Sequence, residues 1–200
     1  MIPTPGKLVR SLHARRPRLR IERRTPAGAA PGTLIADPDA PPPAIRVIEY
    51  GDDGVTETEV ENAGELDRHI GRRPVTWVNV DGLGDVDAIR TIGDLYGLHP
   101  LALEDVLNVH QRAKVDEYPD HLFIVLRMAL VTEAGVETEQ VSIFLGHDYV
   151  ITFQERPGDC LQPVRARLRR DGVRLRGSGA DYLAYAIIDA VVDHYFPVLE

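Results

Sequence analysis

Two groups of carboxylates are the residues in this sequence best suited to chemistry. Glu104 and Asp105 are adjacent, Asn108 follows Glu104 by four positions, and His99 and His110 flank the stretch. Asp189 and Asp193 are four residues apart, with His194 beside them. On a helix the adjacent pair is turned apart by about 100°, while the i, i+4 pair shares one face. Carboxylates on otherwise apolar helices are costly to bury unless paired or metal-bound. Oxygen-rich sets of this kind suit hard divalent ions such as magnesium or calcium, which keep waters and need few protein ligands. A solvated acidic face would show the same spacing, so residue types alone leave both readings open. Taken singly, His99 and His110 read as helix-end hydrogen-bonding residues before they read as ligands.

Other chemistries lack their parts. Asp81-Gly82-Leu83-Gly84-Asp85 falls between a strand and a helix but misses the third glycine of a dinucleotide fingerprint, and no Gly-Lys-Ser/Thr run exists to cradle phosphates. The run is read as a plain turn. Ser142 and Ser178 have no Gly-x-Ser-x-Gly context. The single cysteine, Cys160, excludes an internal disulfide and a cysteine-ligated zinc site and points to a reducing compartment. Following Gly158-Asp159, it is read as a packing or helix-end residue, because a nucleophile would need a histidine beside it. A metal-dependent hydrolase built on Glu104, Asp105 and His110 would have no convincing nucleophile or general base, so the protein is not expected to be an enzyme.

What must position these residues is a chain of 200 residues with a formal net charge of −8 and 44% hydrophobic residues. A domain of this length buries roughly 70% of its unfolded surface, enough for a substantial core. The charge is uneven: residues 1–46 hold nine Lys and Arg against three Asp and Glu, a balance of +6, which leaves −14 for the remainder. Nine of the 15 prolines fall in the same stretch. Residues 1–43 are therefore read as a basic, proline-rich arm, extended or disordered, and residues 44–200 as the folded domain. Arg15, Arg16, Arg18, Arg20, Arg23 and Arg24 could meet nucleic acid or an anionic membrane surface. No aromatic residue is interleaved with them as a base-stacking platform, so a solvated tail is the simpler reading and no nucleic-acid partner is expected. No apolar run approaches the ~20 residues of a membrane helix, and no secretory signal opens the chain.

From residue 44 the pattern is that of strands and short helices. A hairpin is expected over 45–60 about the Gly51-Asp52-Asp53-Gly54 turn. A short helix follows over 62–70, with Asn62 as N-cap and Leu66 and Ile70 on its buried face, and then a buried strand over 75–80. Val86, Ile89, Ile92 and Leu95 mark a helix closed by Gly97, and Pro100 opens a second one that carries Glu104 and Asp105. Strands over 114–118, 121–131, 137–145 and 149–154 form a meander. Helices over 161–170 and 180–199 end the chain, the last bearing Asp189 and Asp193 and still helical at Glu200, which reads as a cut. The expected fold class is α/β: an α/β/α sandwich with a mixed, mainly antiparallel central sheet, ending in a long helix.

One run is more particular than any of these patterns. Gly97-Leu98-His99-Pro100-Leu101-Ala102-Leu103-Glu104-Asp105-Val106-Leu107-Asn108-Val109-His110-Gln111-Arg112-Ala113-Lys114-Val115 resembles the cytoplasmic domain of the CorA family of magnesium and cobalt transport proteins. Colinear stretches extend the likeness over about 75–199: Val75 to Val80, Leu122 to Leu126, Glu139 to Leu145, Tyr149 to Glu155 and Ala180 to Asp193. Ala113 departs from the family, which usually has proline there. The resemblance implies the cytosolic, metal-sensing part of a homopentameric channel in the cell membrane, whose stalk and membrane helices would follow this chain. It implies that regulatory Mg2+, or Co2+, bound between protomers holds the channel closed. Asp105 matches the family's interprotomer aspartate, and Glu104, Asp189 and Asp193 match acidic positions of a second, weaker site. A zinc transporter of the ZntB type shares the architecture and is the closest alternative.

Overall fold

The structure, a computed structural model, describes residues 28–132, 135–170 and 174–199. The arginines singled out in the basic arm, Arg15 to Arg24, lie outside the described residues, and so do residues 133–134, 171–173 and Glu200, where the last helix is expected to continue. Seven strands form one sheet: β1 (Ala44–Gly51), β2 (Gly54–Val60), β3 (Val75–Asp81), β4 (Lys114–Glu117), β5 (Leu122–Thr132), β6 (Gly135–Leu145) and β7 (Tyr149–Gln154). Their order is β2-β1-β3-β7-β6-β5-β4. β3 and β7 run parallel and the other neighbours antiparallel, which is the mixed, mainly antiparallel sheet expected.

Strand alternation divides the core into two layers. Val78 and Val80 of β3, Phe144 of β6, and Ile151 and Phe153 of β7 face one side, where they meet α1 (Val86–Tyr96) and α2 (Pro100–Leu107). Val75 and Trp77, Ile143 and Val150 face the other, where they meet α3 (Gln162–Arg169) and α4 (Ala180–Asp193). A central strand covered on both faces needs apolar residues at nearly every position, and β3 is buried from Val75 to Val80. Local signals set the helix ends. Asp85 accepts hydrogen bonds from the N–H groups of Asp87 and Ala88, and Gly97 ends α1 at φ 63°, a left-handed conformation that favours glycine.

Three details depart from the sequence reading. The helix expected over 62–70 is a 3₁₀ helix over Ala63–His69, whose three-residue period buries Ala63, Leu66 and His69 and leaves Ile70 exposed. Asn62 precedes it, but its side chain donates to Glu65 Oε1 and does not cap the backbone. The long final helix is broken: α4 stops at Asp193 and a short α5 (Phe196–Leu199) follows. Pro197 has no N–H to offer the carbonyl four residues back, and the Tyr195 hydroxyl instead donates to the backbone oxygen of Arg127 at 2.7 Å.

Residues 28–43 contain no regular element, yet they touch the domain. Leu34 and Ala36 pack on the α1/α2 side of the core. The Gly84 N–H donates to Pro41 O at 2.9 Å, and a Cβ on Gly82, itself at φ 108°, would sit 2.5 Å from Pro42 O. The glycines of the Asp81–Asp85 turn thus serve close backbone approach, consistent with its reading as a turn and not a nucleotide loop. Residue 44 marks where strand structure begins, and contacts with the domain begin before it.

Candidate functional site

Glu104 and Asp105 are neighbours on α2 with different surroundings. Pro100 occupies the first turn of the helix, and His99 caps it by accepting the Leu101 N–H on Nδ1 at 3.2 Å, the helix-end role expected of it. Glu104 lies on the inner side, only 7% exposed, and its Oε2 accepts the Gly32 N–H at 2.8 Å. Asp105 is turned outward and half-buried, and its Oδ2 is 2.6 Å from Lys114 Nζ. The same ammonium lies 2.6 Å from Asp116 Oδ2, and β4 alternation places Lys114 and Asp116 on one side of that edge strand. Burial of Lys114 opposes its charge, but hydrogen bonds and attraction from Asp105 and Asp116 outweigh this and hold its pKa above the usual lysine range.

The backbone under Asp105 is fixed from the sheet. Gln140 on β6, itself buried, donates from Nε2 to Asp105 O at 2.9 Å and accepts the Gln111 N–H at 3.1 Å. Arg127 on β5 donates to Val109 O at 2.8 Å and to Thr138 O at 2.9 Å. The last turn of α2 and the loop after it are therefore held on both flanks, while the Asp105 carboxylate remains within reach of solvent. His110 is exposed just beyond.

Asp189 and Asp193 are exposed on α4, on the opposite side of the sheet. With Cys160, Arg167 and His194 they line a cleft of about 240 Å³ between α3 and α4. The Cys160 thiol is buried and pushed up to about 11 by burial and by Asp159, so it is protonated at neutral pH and packs, as its sequence context indicates. Of the four acidic residues singled out in the sequence, then, the structure brings Glu104 together with Asp105 and Asp189 with Asp193, and separates the two pairs by the sheet. Among the described residues no group of three or more His, Cys, Asp or Glu side chains is arranged to hold a metal ion. Asp105, Asp189 and Asp193 offer oxygen donors suited to a hard divalent cation, but the described residues supply no complete set of ligands. Glu104 fits less well, since its Oε2 is engaged by Gly32.

Lys114, Asp116 and Gly32 escaped the motif search. The i, i+2 spacing of Lys114 and Asp116 in an expected strand was a usable signal for the first two. Gly32, 72 positions from Glu104, offered none.

This architecture is found in known proteins. It matches the soluble domain of CorA from Methanocaldococcus jannaschii with a TM-score of 0.60 at 14% identity, covering 78% of this chain and 58% of that one. It matches the ZntB cytoplasmic domain from Vibrio parahaemolyticus with a TM-score of 0.59 at 13% identity, covering 78% and 60%. The fold is thus of the class shared by CorA and ZntB soluble domains. The sequence narrows this: the model of the family described as CorA-like Mg2+ transporter protein matches residues 74–200. The cobalt/magnesium transport protein CorA of Thermotoga maritima is 38% identical over 176 residues, covering 86% of this chain and 50% of its own length. The putative metal ion transporter YfjQ of Bacillus subtilis is 38% identical over 128 residues, covering 62% and 39%. The chain belongs to the CorA-like family, and it spans about half or less of the length of these relatives. No helix among the described residues is long and apolar enough to cross a membrane.

Proposed function

We propose that this chain is the cytoplasmic, ion-sensing domain of a magnesium and cobalt channel in the cell membrane, a homopentamer whose gate it controls. The observation that carries this reading is the 38% identity to the Thermotoga protein across 86% of the chain. In this account the divalent ion is both cargo and regulator, and no catalytic step is involved. Asp105 of one protomer faces an acidic residue of its neighbour; like charges across that interface repel, and a bound cation lowers the cost of the closed arrangement. The ion biases the gate by no more than its differential affinity for the two states. A site of few carboxylates and many waters is weak, as a sensor of an abundant ion must be. Because Glu104 and the Asp189–Asp193 pair lie on opposite faces of the sheet, a second, weaker site combining them would draw its ligands from different protomers.

A ZntB-type zinc transporter would have the same domain fold. The candidate donors Asp105, Asp189 and Asp193 are oxygens, which suit magnesium better than zinc, a metal that favours histidine and cysteine; His194 lines the same cleft as Asp189 and Asp193, but among the described residues no group of three or more His, Cys, Asp or Glu side chains is arranged to hold a metal ion. The test is uptake by the full-length protein in cells that lack their own magnesium transport. Restored magnesium uptake, with cobalt competing, supports the proposal; zinc uptake without magnesium uptake overturns it.

A further inference from the structure

We propose that Lys114 is a tethered competitor for the cation at Asp105, its ammonium group standing where a divalent ion would bind and setting the concentration at which the ion enters. This rests on the reading of Asp105 as an ion-binding residue.

The geometry is specific. Lys114 Nζ lies 2.6 Å from Asp105 Oδ2 and 2.6 Å from Asp116 Oδ2, so a single cationic centre bridges two carboxylates from different elements. Calcium–oxygen distances run to about 2.6 Å and magnesium–oxygen distances are about 2.0–2.1 Å, so an ion bound to the same oxygens would overlap the ammonium nitrogen. Both cannot occupy the place at once, and their charges repel. The Asp105 backbone is pinned through Gln140, so the carboxylate cannot move far to serve both.

The lysine is the partner that can leave. Its side chain is 31% exposed, beside Asp105 at 27% and Asp116 at 40%, and its four-carbon stem can swing the ammonium into water. The Phe123 ring, 5.5 Å from Nζ, favours a cation near this spot and helps to hold the resting position. Charge sets the direction of the exchange. One ammonium leaves a −1 balance over two carboxylates, whereas a divalent ion on both neutralises them. Asp116 thereby becomes a second carboxylate for the incoming ion, on the same protomer as Asp105. Entry of the ion costs the lysine its two pairs, so the apparent affinity is lower than that of the carboxylates alone.

The test is a calorimetric Mg2+ titration of the 200-residue chain as wild type, Lys114→Met, Lys114→Arg, Asp105→Asn and Lys114→Met/Asp105→Asn, with thermal unfolding confirming that each variant is folded. Lys114→Met is expected to bind about tenfold more tightly than wild type, Lys114→Arg about as wild type, and the double variant to lose the gain. If Asp105→Asn weakens binding while Lys114→Met titrates like wild type, the competitor role is overturned and the ion-binding reading of Asp105 stands. If Asp105→Asn changes nothing in either background, Asp105 is not the ion's ligand and both fall; if no variant binds, the competitor role within one chain is overturned while a site completed by a neighbour's acid stands.

Discussion

Glu104 and Asp105 differ by one methylene and one position, and the helix sends them to different tasks. Glu104, buried against the Gly32 N–H, ties the 28–43 segment to α2. Losing a part-buried hydrogen bond to a charged group costs about 1.5–3 kcal/mol, so Glu104→Ala should lower unfolding stability by that order in a urea titration and speed proteolysis within residues 28–43. Unchanged stability and protection would contradict this structural role. The sequence showed that both residues sit on one helix; it could not show which is inward, because Gly32 is 72 positions away. A third carboxylate, Glu139, was noticed only as part of a strand. Burial raises its pKa most, the hydrogen bond from the Arg156 N–H opposes this, and Glu155 raises it further, to about 7 against an ordinary 4.5. Between these values the folded state keeps a proton that the unfolded state has released, so this group's contribution to stability is lost as pH rises from about 4.5 to about 7. Relative to wild type, Glu139→Gln should therefore gain stability across that window, on the order of 2 kcal/mol; a pH-independent difference between the two proteins would refute the assignment.

At the scale of elements, what the sequence made legible was what local chemistry determines. Gly97 as a left-handed stop, Pro100 as a start, the buried run of β3 and the strands β5 to β7 stand where they were expected, because each depends on neighbours within a few residues. Elements shaped by distant partners were harder to read. Leu66 and Ile70 invited an α-helical face, but a 3₁₀ period buries His69, whose Nδ1 is 2.8 Å from Glu49 Oε2 on β1. The final helix looked continuous, yet it is broken where Pro197 removes a donor and Tyr195 reaches Arg127 on the sheet. The Gly82 turn is the clearest case of a long-range reason behind a local signature. Its φ of 108° and the approach of Pro42 O leave no room for a side chain, so Gly82→Ala should cost about 1–3 kcal/mol. Limited proteolysis should then cut first before residue 44, and equal protection of wild type and variant would show that the turn does not hold the segment.

For the molecule as a whole, the two-layered core and the sheet order explain why the four acidic residues do not form one site. The sheet stands between α2 and α4, so the chain presents Asp105 on one side and Asp189 with Asp193 on the other. Sequence spacing places residues along helices but carries no information on which face of a sheet each helix covers, and family resemblance alone supplied the idea that they act in assembly. The central claim is that a divalent ion at Asp105 favours the closed assembly. Its most direct test is channel current through the full-length protein during a magnesium titration on the cytoplasmic side, compared between wild type and Asp105→Ala. The account predicts that wild type closes as magnesium rises and that Asp105→Ala needs a higher concentration or stays open, with domain stability preserved; coincident closing curves would contradict it.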